Sequence, residues 1–180
     1  MKELELNKAF TLLEPGPVIL ITTSNGGKYN IMTLSWHIVL GFSGSFAIMT
    51  GDWNYSFEAL MENKECVINV PGVDMIEKAV GIGTSTGSEV NKFKEFVLTP
   101  VKADIVQPPL IKECIAAIEC RVSNHIKEYD LVILDAVKAW VKRDYKKHRT
   151  FHYRGDGTFV IDGEIVNYRK EMESKLAPGV

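Results

Sequence analysis

Apolar residues along this chain fall into short runs and alternating stretches that predict a strand-rich protein. Proline and glycine punctuate these runs, and helical spacing between them is confined to short segments. Because strands do not alternate regularly with long helices, the pattern favours one antiparallel barrel or sandwich. Extended segments are predicted over residues 18–23, 30–40, 45–50, 66–70, 115–126 and 129–141, with a last pair at 158–161 and 164–166 joined by the hairpin signal Asp162-Gly163.

Short helices are predicted between these strands. Residues 55–63 carry apolar side chains at helical spacing, which indicates an amphipathic helix. Two further short helices are predicted at 73–80 and 89–96, with the glycine-rich loop 81–87 between them.

Polar side chains interrupt the strand that follows the first predicted hairpin. Asn25-Gly26 favours a tight turn, because glycine accepts the positive φ that such turns need. The next strand then carries Asn30, Thr33, Ser35 and Trp36 among apolar neighbours. This row has the chemistry to wrap the edge of a polar, aromatic ligand. It also fits a half-solvated strand whose hydroxyls face water, and the spacing alone does not separate the two interpretations.

Composition favours one domain over residues 1–180. The chain has 180 residues, 46% of them hydrophobic, and can therefore bury a substantial core. The formal net charge of -2 provides no global basic field, so we expect neither a nucleic-acid partner nor binding to an anionic membrane. No apolar run approaches the length of a membrane-spanning helix, and the charged segment 1–8 lacks the apolar core of a signal peptide. We therefore expect a cytoplasmic location.

The three cysteines, Cys66, Cys114 and Cys120, form no C-x-x-C pair. Period-two alternation over residues 113–122 places Cys114 and Cys120 on one apolar face, with Glu119 pointing the other way. On such a face cysteine behaves as a small hydrophobe. We therefore expect packing rather than a redox or metal role.

The loop 81–87 contains three glycines and three adjacent hydroxyl residues. It is not a Rossmann fingerprint, because a helix is predicted before it and Thr86 stands where the third glycine would be. It is not a P-loop either, since no Gly-Lys-Ser or Gly-Lys-Thr follows. The hydroxyls of Ser85 and Thr86 fit a phosphate or a flavin edge, and they fit a plain surface loop equally well.

A basic and aromatic segment lies at residues 142–154. Its two histidines, His148 and His152, are four apart, as metal ligands on a helix can be, but no third ligand is obvious and no metal site is predicted. The segment fits a solvated face or a docking site for pyridine-nucleotide phosphates, and the acidic total charge disfavours nucleic acid. The chain has no G-x-S-x-G or H-E-x-x-H motif and no Ser-His-Asp order, which favours chemistry carried by a cofactor.

Several segments in order resemble the flavoredoxin branch of the flavin reductase-like FMN-binding proteins. The resemblance covers roughly residues 10–166 and implies a mainly β fold, an FMN-binding split β-barrel of Greek-key type with short helices. It further implies a homodimer that holds FMN, without a covalent link, near the subunit interface. The segments are Asn-Ile-Met-Thr-Leu-Ser-Trp at 30–36, Cys-Val-Ile-Asn-Val-Pro at 66–71, Asn-Lys-Phe at 91–93 with Leu-Thr at 98–99, and Glu-Cys at 113–114 and 119–120.

The resemblance also implies roles for individual residues. Lys92 would supply positive charge to the FMN phosphate, although without the resemblance it would be taken for an ordinary exposed lysine. Asn54 stands where relatives often carry a basic residue, and Asn91 replaces the usual aspartate. Asn30, Thr33, Ser35 and Trp36 would line the isoalloxazine and ribityl chain, and Asn54, Tyr55 and Ser56 would open a helix whose free amides favour the phosphate.

The function that the resemblance implies is electron transfer through bound FMN. Electrons would come from NADH or NADPH and pass to free flavin, a ferric chelate or a protein acceptor, with no side chain acting as catalytic acid or base. One alternative is a flavoredoxin-type electron carrier without a pyridine-nucleotide site, and another is a barrel that has lost flavin. For the homodimer, the strand-rich second half suggests a contact that includes Trp140, Val132 and Leu134.

Overall fold

One antiparallel sheet of eight strands dominates the computed structural model, which describes residues 1–180. Its strand order is β3-β2-β6-β9-β10-β5-β4, and β1 pairs with β10 beside β5. Two smaller sheets are formed by β7 with β8 and by β11 with β12. The strands are β1 (Lys2–Leu4), β2 (Ile19–Asn25), β3 (Lys28–Leu34), β4 (His37–Val39), β5 (Ser45–Met49), β6 (Glu65–Val70), β7 (Pro100–Val101), β8 (Leu110–Ile111), β9 (Ala116–Ile126), β10 (Leu131–Val141), β11 (Phe151–Tyr153) and β12 (Phe159–Ile161).

The large sheet curls because its two end strands are neighbours in sequence. β3 and β4 lie at opposite ends of the strand order, yet only Ser35 and Trp36 separate them. An extended chain covers at most ~3.6 Å per residue, so the two edges must come close together. At this junction the Met49 amide donates to the Trp36 carbonyl, at 3.0 Å. The predicted mainly β barrel is confirmed, and the predicted strand 30–40 is interrupted where the barrel closes.

Four short α-helices pack around the sheet, and none of them is long and apolar enough to span a membrane. The predicted helix 55–63 is confirmed, whereas the helix predicted over 89–96 is a single turn. At the start of that turn Asn91 Oδ1 accepts from the Lys94 amide at 3.1 Å, so asparagine caps the helix as an aspartate would. The helices are α1 (Leu6–Ala9), α2 (Ser56–Asn63), α3 (Ile76–Thr84) and α4 (Lys92–Glu95).

The loop predicted over 81–87 is wrong for its first half, because α3 continues to Thr84. The glycines there serve close packing rather than a turn. A Cβ at Gly81 would lie 2.4 Å from the Phe96 ring, and one at Gly83 would lie 3.3 Å from Thr33 Cβ. Their lack of side chains lets α3 approach its neighbours.

The hairpin predicted at Asp162-Gly163 is also wrong. β12 pairs with β11, and the turn between them contains Gly155 and Gly157, both at φ 86°. Asp162 instead closes the open end of this hairpin, where its Oδ2 accepts from the amide and hydroxyl of Thr150, both at 2.6 Å. Residues 164–166 form no strand.

Alternating side chains divide the apolar residues between two clusters. Ile19 and Ile21 of β2 face the interior of the barrel, whereas Leu20 faces a second cluster beneath α3 and α4. The cysteines are buried as predicted, but Cys114 belongs to the second cluster and Cys120 to the barrel interior. Burial raises the pKa of both thiols, which keeps them protonated at neutral pH and fits packing.

Two of the three residues expected in a dimer contact of the second half lie in the core. Val132 and Leu134 are fully buried inside the barrel, so they are not available to a partner. Trp140 donates its indole N–H to Glu119 Oε1 at 2.7 Å. Glu119 is itself fully buried, and it accepts backbone hydrogen bonds from residues 104–106 at 2.7–3.2 Å.

Candidate functional site

The predicted site residues surround the outer edge of β3. This strand pairs with β2 on one side only, and α2, α3 and α4 all contact it. An unpaired strand edge presents backbone N–H and C=O groups to whatever lies beside it. Asn30 and Thr33 lie on β3, Ser35 and Trp36 follow it, Asn54, Tyr55 and Ser56 form the turn into α2, Ser85 and Thr86 follow α3, and Lys92 begins α4.

Asn30 is the point where three of these segments meet. Its Nδ2 donates to Ser56 Oγ at 2.8 Å, and the Ser56 amide donates to Asn54 Oδ1 at 3.0 Å. The loop after α3 passes directly against the same side chain, because a Cβ at Gly87 would lie 2.3 Å from Asn30 Oδ1. Only glycine fits this approach.

The start of α2 offers fewer free amides than the sequence suggested. Asn54 accepts hydrogen bonds from two of these amides. Its side-chain Oδ1 accepts from the Ser56 amide, and its carbonyl oxygen accepts from the Phe57 amide at 2.8 Å. The first turn also contains the carboxylate of Glu58. An anion here would depend more on side chains than on the helix terminus.

The hydroxyls near α3 already have partners inside the chain. Thr33 Oγ1 donates to the Ala79 carbonyl of α3 at 2.7 Å, and Ser85 Oγ donates to the Gly81 carbonyl at 2.9 Å. Thr86 Oγ1 contacts Ser88 Oγ at 3.0 Å. The donor protons of Thr33 and Ser85 are used locally, so towards a ligand these two oxygens are best suited to accept, whereas in the Thr86–Ser88 pair either hydroxyl can donate.

Lys92 is not an ordinary exposed lysine, because its residue is only 5% exposed. Its ammonium donates to the carbonyls of Ile31 on β3 and Ile82 on α3, at 3.0 and 2.8 Å. Burial lowers the pKa of Lys92 to about 8. A lysine ammonium has three N–H donors, and these two bonds leave one available.

Two cavities flank the turn that precedes α2. The larger, a groove of about 1150 Å³, includes Asn30 and Tyr55 in its lining and has Lys28 and Lys94 on its walls. The smaller, a pocket of about 180 Å³, includes four of the other eight predicted residues in its lining. Its lining is Thr33, Leu34, Ser35, Trp36, Met49, Thr50, Trp53 and Asn54. Ser56, Ser85, Thr86 and Lys92 line neither cavity.

Comparison with known proteins identifies the family to which the chain belongs. Residues 12–162 match the family model described as "Flavin reductase like domain". The chain belongs to the flavin reductase-like family. The uncharacterized protein YddH of Escherichia coli is 29% identical to this flavin reductase-like chain, over 91% of the chain and 95% of YddH.

Solved structures share the fold of this flavin reductase-like chain. An FMN-binding domain of a flavin reductases-like enzyme from Shewanella baltica superposes with a TM-score of 0.85 and 23% identity, over 92% of this chain and 96% of that one. Flavoredoxin of Desulfovibrio vulgaris superposes with a TM-score of 0.79 and 21% identity, over 84% and 89% of the two chains. The curled antiparallel sheet is therefore that of a split barrel.

Sequence reasoning missed Trp53 in this flavin reductase-like chain. Its side chain is 62% exposed, and it lines the small pocket together with Trp36. The sequence signal was the position of this tryptophan in the four-residue segment from Gly51 to Asn54. In the structure this segment is a turn, in which the Asn54 amide donates to the Gly51 carbonyl at 3.0 Å. An exposed tryptophan on such a turn is a candidate contact residue.

The two histidines of the basic segment do not converge. His152 contacts the Gly16 carbonyl through Nδ1 at 2.9 Å and Asp162 Oδ1 through Nε2 at 2.7 Å. His148 Nε2 lies 3.4 Å from Asp144. The spacing of four therefore reflects two separate polar contacts.

Proposed function

We propose that this flavin reductase-like chain is an FMN-binding oxidoreductase that passes electrons from NADH or NADPH through bound FMN to free flavin, a ferric chelate or a protein acceptor. The observation that carries the proposal is the convergence of Asn30, Ser56, Asn54 and Lys92 on the unpaired edge of β3. Solved relatives of the same fold are described as FMN-binding. FMN supplies the hydride and electron chemistry when bound.

A buried hydroxyl supports the fit to FMN. Thr23 is fully buried, lines the large groove and lies opposite Asn30 in the β2–β3 ladder, yet its Oγ1 has no hydrogen-bond partner. Buried polar atoms in folded proteins nearly always have partners. A hydroxyl of the ribityl chain lying against Asn30 would supply one.

The chain's own residues would hold the ring and the ribityl chain at the two cavities, and the phosphate beside residues that line neither cavity. Thr33, Ser35, Trp36 and Asn54 would orient the isoalloxazine at the small pocket, and Asn30 would hold the ribityl chain. The phosphate would lie towards Lys92, Ser56, Ser85 and Thr86. These groups bind, orient and exclude water, and none is assigned as a catalytic acid or base.

The direct test is the colour of the purified protein. We expect it to be yellow, or to become so with added FMN, and to release FMN rather than FAD on denaturation. The reason is that the site offers one phosphate region and no dinucleotide fingerprint for an adenosine half. An absorbance spectrum and chromatography of the released flavin measure this. A colourless protein that binds no FMN at micromolar concentration would contradict the proposal and leave a barrel that has lost flavin.

A second candidate is a flavoredoxin-type electron carrier, favoured by the fold shared with the Desulfovibrio vulgaris protein. Such a carrier would hold FMN and be reduced by another protein. Anaerobic titration of the FMN-loaded chain with NADH and with NADPH separates the two functions, since a carrier would not be reduced by either. We propose a cytoplasmic location for both, where pyridine nucleotides and protein donors are available.

We further propose a homodimer, with the contact on β4 instead of the second half. Trp36, Ile38 and Leu40 alternate along one side of this edge strand and are 65%, 57% and 50% exposed. An exposed apolar edge is the kind of surface that natural proteins cover. A second copy placed there would cover the row and enclose the flavin ring beside Trp36.

Light scattering tests the dimer. We expect the dimer mass for the wild type and the monomer mass for Ile38→Glu, because the substitution buries a charge in the proposed contact. Ile165→Glu is the matched control, since Ile165 is an 85% exposed isoleucine outside the row. A wild-type monomer with FMN firmly bound would refute the dimer and leave the flavin assignment intact.

A further inference from the structure

The basic segment, residues 142–154, concentrates positive charge on a chain that is acidic elsewhere. It contains six lysine and arginine residues and one acidic residue, Asp144, whereas the whole chain has a formal net charge of -2. The remaining residues therefore carry a net charge of -7. Charge separated in this way produces a directional field at the protein surface, although the total charge is small.

The cations of this segment have no counter-charge within the chain. The nearest carboxylates contact histidines instead, because Asp144 lies 3.4 Å from His148 and Asp162 lies 2.7 Å from His152. Exposed cations that form no salt bridge are therefore available to an external anion. They are Arg143, Lys146, Lys147, Arg149 and Arg154.

Buried side chains hold the backbone of the basic segment in place. Tyr145 packs against the interior of the barrel, and Phe151 is fully buried. Between them the chain forms a single 3₁₀ turn at Tyr145–Lys147, and the Arg149 carbonyl accepts from the Val73 amide at 3.0 Å. Because the backbone is already ordered, a partner that contacts these cations would have to immobilise only side chains.

The end of the basic segment lies close to the small pocket. The Phe151 carbonyl accepts from the Val18 amide at 2.8 Å, and the next residue, Ile19, pairs with Leu34 in the lining of that pocket. Neighbouring strands are about 4.8 Å apart, so the Phe151 backbone is roughly 10 Å from the Leu34 backbone. A protein bound to the segment would therefore be near the proposed position of the flavin ring.

We propose that the basic segment is the docking surface for an acidic electron-carrier protein that accepts electrons from bound FMN. The inference rests on the proposed function, because it names the partner of the same flavin site. Two molecules of a one-electron carrier would each take one electron from fully reduced FMN. The two protons of the reduced flavin would pass to water, and FMN would return to its oxidised form.

Shape and charge favour a protein surface over other anions. The exposed cations of the segment line neither the large groove nor the small pocket, whereas small ligands are typically bound in concave sites. A long polyanion such as nucleic acid would also meet the net negative charge of the remaining surface. A compact acidic patch on a protein complements the segment alone, and such complementary patches steer two proteins towards each other.

Native and succinylated cytochrome c are matched probes for this docking surface. Succinylation replaces lysine ammonium groups of the basic cytochrome with carboxylates and leaves the haem in place. The FMN-loaded chain is reduced anaerobically with dithionite, and haem reduction is followed by stopped-flow absorbance. We expect the acidic, succinylated form to react faster at low salt, although the chain itself has a net charge of -2. The difference should vanish at high salt, because the Debye length falls from about 30 Å at about 0.01 M to about 3 Å at about 1 M.

Charge reversal within the segment locates the contact. The double variant Lys146→Glu/Lys147→Glu should reduce succinylated cytochrome c about tenfold more slowly at low salt and should not slow the native form. The control is Lys102→Glu/Lys170→Glu, which makes the same change in net charge at two exposed lysines outside the segment. Equal slowing by the two double variants would overturn the proposal, because it would mean that only the total charge matters.

Further measurements separate failure of the docking surface from failure of the proposed function. FMN content and the oxidation of NADH and NADPH are measured for each variant, and binding of succinylated cytochrome c to the cofactor-free chain is measured by isothermal titration. A chain that binds no FMN, but binds this probe less tightly in the Lys146→Glu/Lys147→Glu variant, would refute the proposed function and keep the docking surface.

Two other results would refute the docking surface alone. One is normal FMN binding with the reduction of succinylated cytochrome c unchanged in the Lys146→Glu/Lys147→Glu variant. The other is a loss of NADPH oxidation without a loss of NADH oxidation in that variant, with both cytochrome rates unchanged. That result would assign the segment to the additional phosphate of NADPH.

Discussion

Replacing Lys92 with methionine should weaken FMN binding about ten- to a hundredfold and change riboflavin binding much less. A charge-assisted hydrogen bond is worth about 1.5–3 kcal/mol, and only FMN carries the phosphate that would form it. Methionine retains the buried aliphatic length of the side chain, so packing beside Ile31 and Ile82 is largely preserved. Fluorescence titration of the cofactor-free protein with each ligand gives the two affinities.

The same residue predicts a pH dependence. Burial lowers the pKa of Lys92 to about 8 in the free protein, and an adjacent phosphate would raise it again. FMN binding would then be accompanied by proton uptake, so FMN affinity should fall as pH rises above about 8, by at most tenfold per pH unit. Below that pH the lysine is already charged and its effect is complete. The methionine variant should lack this fall.

A different result would assign Lys92 another role. If the ammonium only ties the edge of β3 to the end of α3 through the Ile31 and Ile82 carbonyls, its loss should weaken FMN and riboflavin alike. Equal weakening, with no pH dependence above pH 8, would move the phosphate away from Lys92.

Replacing Glu119 with alanine should lower the free energy of unfolding by about 3 kcal/mol. The buried carboxylate accepts from the amides of Asp104, Ile105 and Val106 and from the Trp140 indole, at 2.7–3.2 Å. Removing it leaves several donors without an acceptor, and hydrogen bonds to a charged group are individually worth about 1.5–3 kcal/mol. Because residues 104 and 105 are exposed, water recovers part of the loss.

Urea unfolding measures this difference, with Glu113→Ala as the matched control. The Glu113 side chain is only partly buried, and its carboxylate accepts one backbone hydrogen bond, from the Thr99 amide at 3.0 Å. We expect its loss to cost about 1 kcal/mol. Similar losses for the two variants would mean that the Glu119 cluster adds no more than an ordinary surface contact.

Local patterns predicted the longer strands, such as β2, β6, β9 and β10, because these strands place residues in an apolar cluster. The interruption at Ser35 and Trp36 was not predictable from these patterns, because it follows from closing the sheet between distant strands. The hairpin at Asp162-Gly163 failed for a different reason. The glycines at 155 and 157, both with positive φ, supply a turn that the pairing of β11 and β12 requires.

The sequence predicted which residues form the site, but it predicted their hydrogen-bond partners and their burial less well. Asn30 and Ser56 were both predicted, but their hydrogen bond joins residues 26 positions apart. The burial of Lys92 depends on a carbonyl 61 positions away, on β3. Trp53 was missed because the position of its indole depends on Gly51. The indole packs directly against this glycine, and that contact is visible only in the folded chain.

The curled sheet also determines when the chain can first receive its ligand. β2 pairs locally with β3, and β4 with β5, so these hairpins have short loops to close. By contrast, β2 pairs with β6 through contacts such as Leu20 with Asn69, which are far apart in the sequence. Such non-local contacts form slowly. The outer edge of β3 is complete only after α3 and Lys92 have docked on it. We therefore expect flavin to bind late in folding, so that stopped-flow refolding proceeds at the same rate with or without FMN.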